Sequence, residues 1–450
     1  MPPTDTIAAL ATPVGTSALA VIRVSGPEVE RLASALAGSP PSPRAARRRD
    51  YRTRSGELLD DVLLTFFPEP GSYTGEHVLE VSCHGNPFIA QRILEDLFAR
   101  GCRPAQPGEF TRRAFLNGRL DLSQAEAVMD VIAARGERAL AAAQRQLHGA
   151  LGRQMEVLIA GLLGALAAVE AYIDFPDEDL PPENRAATRQ AVEAALADSA
   201  RLLATQHYGE LLRDGIKTVI IGEPNAGKSS LLNRLVGRDR AIVSPEPGTT
   251  RDFLEERILA GPHCLRLIDT AGLNPAPGTV ERLGIEKTLR CVEESDILVL
   301  VLDATRPAPP LPPEVGRRLT PGRAVAVLNK ADLLRGPALA TAPAGLPAVA
   351  VSALTGAGSE ELTAELIRQA GGLAPPADED AVAINARHAH ALAQAGECLR
   401  QALQKLDTAG PIELLASDLR GALDAFGEIS GKIDNERMLD QLFARFCIGK

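Results

Sequence analysis

The stretch "GEPNAGKSS", Gly222 to Ser230, decides how the middle of the chain is read. It has the pattern GxxxxGK[ST], it follows the β-branched run "IKTVIIG", and it opens the helical "SLLNRLVG". Glycines there let backbone N–H groups close around phosphates at a helix N-terminus. Asn225, Ala226, Gly227 and Ser230 complete the loop, Lys228 brings charge to the β- and γ-phosphates, and the Ser229 hydroxyl suits Mg²⁺. "DTAG" (Asp269, Thr270, Ala271, Gly272) ends a later strand, with a carboxylate for the Mg²⁺ shell and a backbone contact for the γ-phosphate at Gly272. "PGTTRD" contributes Gly248, Thr249 and Thr250, the last as a second Mg²⁺ ligand. "NKAD" supplies Asn329, Lys330 and Asp332; the Asp332 carboxylate can accept from guanine N1–H and its 2-amino group, a pair adenine cannot offer, so it selects GTP. Ser352 and Ala353 in "SAL" back the base. These motifs in this order predict a GTPase.

Working outward, short β-branched runs alternate with helical segments through residues 216–371: "CLRLIDTAG", "DILVLVLDA", "AVAVLNKAD", "AVAVSAL". That alternation predicts a doubly wound parallel sheet. Residues 1–118 read as mixed α/β, with strands in "SALAVIRVSG", "LLDDVLLTFF" and "HVLEVSCHG" and a helix in "PFIAQRILEDLFARG". Between them "PRAARRRDYRTR" carries six arginines from Arg44 to Arg54, read as a solvated loop or a phosphate-contacting patch. From Ser123 the texture is helical. Ser123 and Glu126 fit a capping box, and apolar residues (mostly Leu, with Met155 and Val169) recur at helical intervals from Leu140 to Val169. A second helical stretch runs from about Glu183 to Arg213, and the chain is helical again after "LAPPADED". The expected class is therefore α/β and α multidomain, with a discontinuous helical domain into which the Ras-like α/β domain is inserted. The divisions are 1–118, 119–213, 214–372 and 373–450.

With 450 residues, 45% of them hydrophobic, several domains can bury cores. A net charge of −10 marks no global nucleic-acid binder. The six scattered cysteines form no CxxC pair, which fits a reducing cytoplasm rather than a zinc or disulfide framework. The N-terminus lacks a basic region before its apolar stretch, so no signal peptide is expected, and no unbroken apolar run predicts a membrane span. His388 and His390, two apart on a helix, read as surface residues.

Leu273 follows "DTAG", where Ras-like enzymes place a water-orienting Gln, so another device is required. Asn225 faces the phosphates and can hold a monovalent cation, which would neutralise developing charge as an arginine finger does. "VSPEPGTT" can wrap such an ion with carbonyls. In "VERLGIEK", Glu281 and Glu286 are candidates for positioning water; from spacing alone an exposed helix face is equally good.

The chain as a whole resembles the MnmE (TrmE) family of tRNA-modifying GTPases. The likeness rests on "DTIAALATPVG", "PGEFTRRAFLNGRLDLSQAEAV", "IDFPDED", "GEPNAGKSSLLN", "GTTRD", "DTAGL", "VERLGIEK", "NKAD" and the terminal "FCIGK". It implies a homodimer joined through an N-terminal domain that resembles folate-binding domains and takes a tetrahydrofolate one-carbon donor (5,10-methylene or 5-formyl form). It also implies an FAD-containing partner, MnmG (GidA), and carboxymethylaminomethyl-type modification at C5 of the tRNA wobble uridine. By position the likeness assigns K⁺ to Asn225, Ser244, Glu246 and Thr249, Mg²⁺ to Ser229 and Thr250, and water orientation to Glu281. Catalysis would then rest on Glu281, Lys228 and Asn225. Folate contacts map to Arg23, Glu80, Arg119 and Lys450, with the tail folding back toward the folate. Departures are Arg119 where some relatives carry Lys, Asn86 where a second Gly is expected, and Pro245 and Pro247 in the K⁺ loop. Two other readings fit the P-loop motifs: a ribosome-assembly GTPase acting as an RNA-binding timer, and a signalling GTPase lipidated at Cys447. The terminal Lys is a poor end for a prenylation box.

Overall fold

The computed structural model describes residues 5–39, 42–174, 185–238, 254–270, 279–373, 382–408, 410–431, 442–443, 446–447 and 449. The side chains of residues 238, 254 and 279–285 are outside this description. The chain forms two compact units, one of residues 1–129, 147–167 and 420–450, the other of residues 130–146 and 168–419.

The first unit opens with β1 (Ile7–Leu10), β2 (Leu19–Ser25), α1 (Val29–Ala37), β3 (Arg47–Arg52), β4 (Leu58–Phe67), β5 (Val78–His84), α2 (Pro87–Ala99), β6 (Arg103–Pro104) and α3 (Glu109–Leu116). The six strands form one sheet in the order β3-β4-β5-β2-β1-β6. Alternate residues, among them Ile22, Val24, Val62, Leu64, Leu79 and Val81, are buried with residues of α1 and α2, as period-two strands require. The β2–β5 register sets Arg23 opposite Glu80, so a cross-strand ion pair follows directly from the pairing. The arginine-rich segment is not a loop throughout: Arg47–Arg52 is the edge strand β3, held by its ladder to β4. Charged side chains on an edge strand also block its pairing with other chains.

Helices follow: α4 (Leu122–Ala133), α5 (Glu137–Leu147), α6 (Ala150–Asp174), α7 (Arg185–Leu203) and α8 (Gln206–Asp214). The expected cap at Ser123 is displaced. Gln124 N donates to Asp121 Oδ1 at 2.8 Å and Asp121 N to Gln124 Oε1 at 3.0 Å, so the reciprocal box is Asp121 with Gln124. The single long helix expected through Leu140–Val169 is two, parted where Gly149 takes φ +79°. Among the described residues α6 alone is long and apolar enough to cross a membrane by length and composition. Its buried residues Leu151, Met155, Leu158, Leu162, Leu166 and Val169 recur every three or four positions, which is the stripe of a packed helix.

The α/β part of the second unit comprises β7 (Ile216–Gly222), α9 (Lys228–Arg238), β8 (Leu254–Ala260), β9 (His263–Asp269), α10 (Thr279–Glu293), β10 (Ile297–Asp303), α11 (Pro313–Arg318), β11 (Ala324–Asn329), β12 (Ala348–Ala350) and α12 (Ser359–Gly372). The sheet order is β12-β11-β10-β7-β9-β8, parallel except for β8, which runs antiparallel to β9. β10 is buried along its whole length, as a central strand covered on both faces must be. The expected doubly wound sheet is present, with an antiparallel edge that the motifs did not indicate.

Two further helices follow, α13 (Ala386–Asp407) and α14 (Ile412–Ser430). α13 lies along α7. His388 is not a surface residue: it is fully buried and forms a capping box with Asn385 at the start of α13. A helix's third residue can return a hydrogen bond to the N-cap backbone, and the imidazole does so here.

Candidate functional site

The parallel strands β7, β9, β10 and β11 all end on one side of the sheet, and the candidate residues cluster at those ends. Gly222 closes β7 at φ +152°, and a Cβ there would lie 2.3 Å from Val301 O on the neighbouring strand. Gly227 takes φ +93°, and a Cβ there would come 2.2 Å from Asn329 Nδ2. These two positions require glycine for conformation and for close approach. Asn225 itself is left-handed at φ +64° and exposed.

Lys228 starts α9 and is buried; its Nζ donates to Glu223 O at 2.9 Å and Gly222 O at 3.2 Å. Burial lowers its pKa, partly opposed by the Asp269 charge. Ser229 Oγ donates to Asp269 Oδ2 at 2.6 Å, while Asp269 Oδ1 is buried with no hydrogen-bond partner among the described residues. An orphaned carboxylate oxygen beside a hydroxyl is the donor set of a hard dication, so these residues fit Mg²⁺. Thr270 does something else: its hydroxyl donates to Ile220 O at 2.8 Å, which ties the end of β9 to β7.

Asn329 holds two loops at once. Its Nδ2 donates to Ala226 O at 2.8 Å and its Oδ1 accepts from Ala353 N at 3.0 Å. Asp332 sits in a short 3₁₀ turn, Ala331–Leu333, exposed and without a side-chain partner among the described residues, so its carboxylate is available to a base. Ser352 is buried and its Oγ accepts from Thr355 N at 3.1 Å, which shapes the loop that follows.

Two residues at this end escaped the motif reading. Asp303, the last residue of β10, pairs with Lys330 Nζ at 2.7 Å. Burial pushes its carboxyl up, but hydrogen bonds from Lys330 and Thr305 prevail and leave it at about 2. Arg306 pairs with Glu223 of the P-loop at 2.8 Å. A strand ending in Asp at the same edge as "NKAD" was the available signal. Ser244, Glu246, Gly248, Thr249, Thr250, Ala271, Gly272 and Lys450 lie outside the described residues, as does the side chain of Glu281, whose backbone belongs to α10.

In the first unit, Arg23 donates from Nε and Nη2 to Glu80 Oε1 at 3.1 and 2.9 Å, and its guanidinium lies 5.2 Å from the Tyr73 ring centroid. Arg119 packs beside Gly75, where an added Cβ would meet its Cγ at 3.2 Å. The chain's last described residues are seated here too. Gly108 N donates to Cys447 O at 3.3 Å, and Phe443 and Phe446 pack with Leu122 and Ala125. A Cβ on Gly449 would lie 2.2 Å from Leu10 O. These described tail residues are folded back onto the first unit. Asn86 is explained as well: its Oδ1 accepts from Phe88 N and caps α2.

A phosphate loop between a parallel strand and a helix, a strand-end carboxylate on the Ser229 hydroxyl and "NKAD" at the end of β11 define a P-loop GTPase. The model of the GTP-binding protein TrmE N-terminus matches residues 6–119, and that of the MnmE helical domain matches residues 122–447. The chain belongs to the tRNA modification GTPase MnmE family. It is 58% identical to the tRNA modification GTPase MnmE of Opitutus terrae, with 100% of each chain covered. It is 44% identical to that of Akkermansia muciniphila, over 100% of this chain and 99% of the relative. With the protein of that name from Symbiobacterium thermophilum the identity is 42%, over 99% of both chains.

Proposed function

We propose that this protein is a K⁺-dependent GTPase that works with an FAD-containing partner of the MnmG (GidA) type. Together they add a carboxymethylaminomethyl-type group to C5 of the wobble uridine in tRNA, taking the carbon from 5,10-methylene- or 5-formyltetrahydrofolate. The protein acts in the cytoplasm, off the membrane, as a homodimer joined through its N-terminal domain. The working division is 1–118 for folate binding and dimerisation, 119–213 and 373–450 for the helical domain, and 214–372 for the G domain.

Ser229 and Thr250 would hold Mg²⁺; Asn225, Ser244, Glu246 and Thr249 would hold K⁺. A bound Mg²⁺ supplies charge to the β- and γ-phosphates. Lys228 would leave its carbonyl partners for the phosphates, Asp332 would read guanine, Asn329 would keep the P-loop and base loop in register, and Glu281 would orient water. Arg23, Glu80, Arg119 and Lys450 would contact the folate.

The observation that carries the reading is the seating of Cys447 and Gly449 on the same unit as the Arg23–Glu80 pair. Tail residues folded back onto the unit that carries that pair support a small-molecule site there. The test is titration of the full-length protein with 5-formyltetrahydrofolate. Saturable binding lost on Arg23→Ala or Glu80→Ala is expected; absence of binding by the wild type would favour a ribosome-assembly timer, which has no use for folate.

A further inference from the structure

At the opposite end of the α/β sheet from the P-loop the chain builds a second concave site. Ser295 and Asp296 lie just before β10 and Arg323 just before β11, while α11 and the turn after it add Arg317, Arg318 and Thr320. They line a cavity of about 230 Å³. The P-loop begins where Gly222 registers with Val301, near the other end of β10. Seven strand residues at about 3.3 Å each place the two sites roughly 20 Å apart.

The charges at this cavity are unequally committed. Arg318 donates to Ser295 O at 2.8 Å and so forms part of the wall. Arg317 makes a single long contact, Nε to Pro313 O at 3.4 Å. The Arg323 guanidinium has no partner among the described residues. Among the described residues lining the cavity Asp296 is the one carboxylate, and it is already engaged: Oδ2 accepts from Lys217 N at 2.8 Å, and Oδ1 lies 3.4 Å from His207 Nε2. Three guanidinium charges against one carboxylate leave the cavity at +2, in a chain whose net charge is −10.

We infer that this cavity binds phosphate groups, and that the phosphates are those of an RNA backbone. Planar guanidinium groups match phosphate oxygens in forked pairs, and a hydroxyl such as that of Thr320 is a common backbone donor. Among the described residues no aromatic ring lines the cavity, so it offers no aromatic platform for a base. The site contacts RNA without reading its sequence. The inference rests on the reading of the chain as acting on tRNA, and gives that substrate a second point of attachment away from the nucleotide.

The test uses full-length protein carrying Arg317→Gln and Arg323→Gln, with Arg318 left in place because it supports the wall. Binding of an unmodified tRNA transcript is followed by anisotropy across a salt series. Affinity is expected to fall about tenfold and the slope of log K against log salt to drop by about 1 to 2, with GTP hydrolysis in the absence of RNA unchanged. Unchanged affinity and slope overturn the inference. A thermal midpoint raised by inorganic phosphate in the wild type but not the variant, with tRNA affinity unchanged, makes this a free-anion site and also overturns it. A wild type that binds no tRNA overturns the tRNA reading together with the inference; failure in the comparison alone overturns the inference only.

Discussion

The Asn329 side chain donates to the Ala226 carbonyl at 2.8 Å, so the residue that ends β11 holds the phosphate loop that follows β7. Its other amide atom accepts from Ala353 N at 3.0 Å. One buried amide thereby joins the phosphate-facing and base-facing loops. Asn329→Ala leaves both backbone groups unpaired, at a cost of about 1 to 3 kcal/mol. GTP and GDP affinities are expected to fall together, roughly 10- to 100-fold. Mant-nucleotide titration checks this; loss confined to GTP would contradict it.

Asp269 Oδ1 has no partner among the described residues while Oδ2 accepts from Ser229. Asp269→Asn keeps the hydrogen bond and removes the charge. The Mg²⁺ concentration for half-maximal hydrolysis is expected to rise at least about tenfold. An unchanged Mg²⁺ dependence would remove this carboxylate from the metal's surroundings.

Burial holds the His263 imidazole down to about 4, and the charge of Arg138 adds to the effect. The folded state therefore binds its proton less readily than the unfolded chain, whose value is 6.5. Stability from this residue is complete above about 6.5 and is lost as pH falls toward 4, a change of up to about 3 kcal/mol. Thermal midpoints at pH 7 and pH 5 should differ less in His263→Gln than in the wild type. Equal differences in the two proteins would show that His263 does not govern the acid response.

Gly108 takes φ +66°, and a Cβ there would come 2.7 Å from Phe443 O. Backbone cannot yield as a side-chain end can. Gly108→Ala should weaken the seating of the tail by about 1 to 3 kcal/mol. On the proposed folate role, 5-formyltetrahydrofolate affinity falls by about tenfold or more while GTP hydrolysis is retained. Unaltered folate affinity would separate the tail from that site.

Where side chains carry a strong local pattern, the sequence was readable. β7, β9, β10 and β11 are β-branched or leucine-rich runs ending in chemistry-bearing residues, and each is a strand at the site. β8 was hidden because "LEERILA" puts three charged residues in succession, as an edge strand can tolerate. β3 was hidden for the same reason, since "RRRDYR" resembles a loop until its pairing with β4 is seen. Asp303 and Arg306 belong to no motif: the β10–β11 register sets Asp303 opposite Asn329, next to Lys330, and Arg306 reaches Glu223 from the loop after β10. Gly149 falls inside the helical run from Leu140 to Val169, and only its positive φ marks the break between α5 and α6. The folded-back tail came from family likeness, because no local pattern in "FCIGK" encodes a contact with Gly108, more than three hundred residues earlier.

The most direct test of the account is steady-state GTP hydrolysis in K⁺ and in Na⁺ at equal ionic strength, with Asn225→Ala alongside. Asn225 stands exposed and left-handed at the phosphate loop, where its amide can meet a cation. The account predicts hydrolysis stimulated in K⁺ by on the order of 10-fold or more, and loss of that stimulation in Asn225→Ala. Equal, slow rates in both salts would contradict it, and the catalytic charge would then have to come from a separate protein activator.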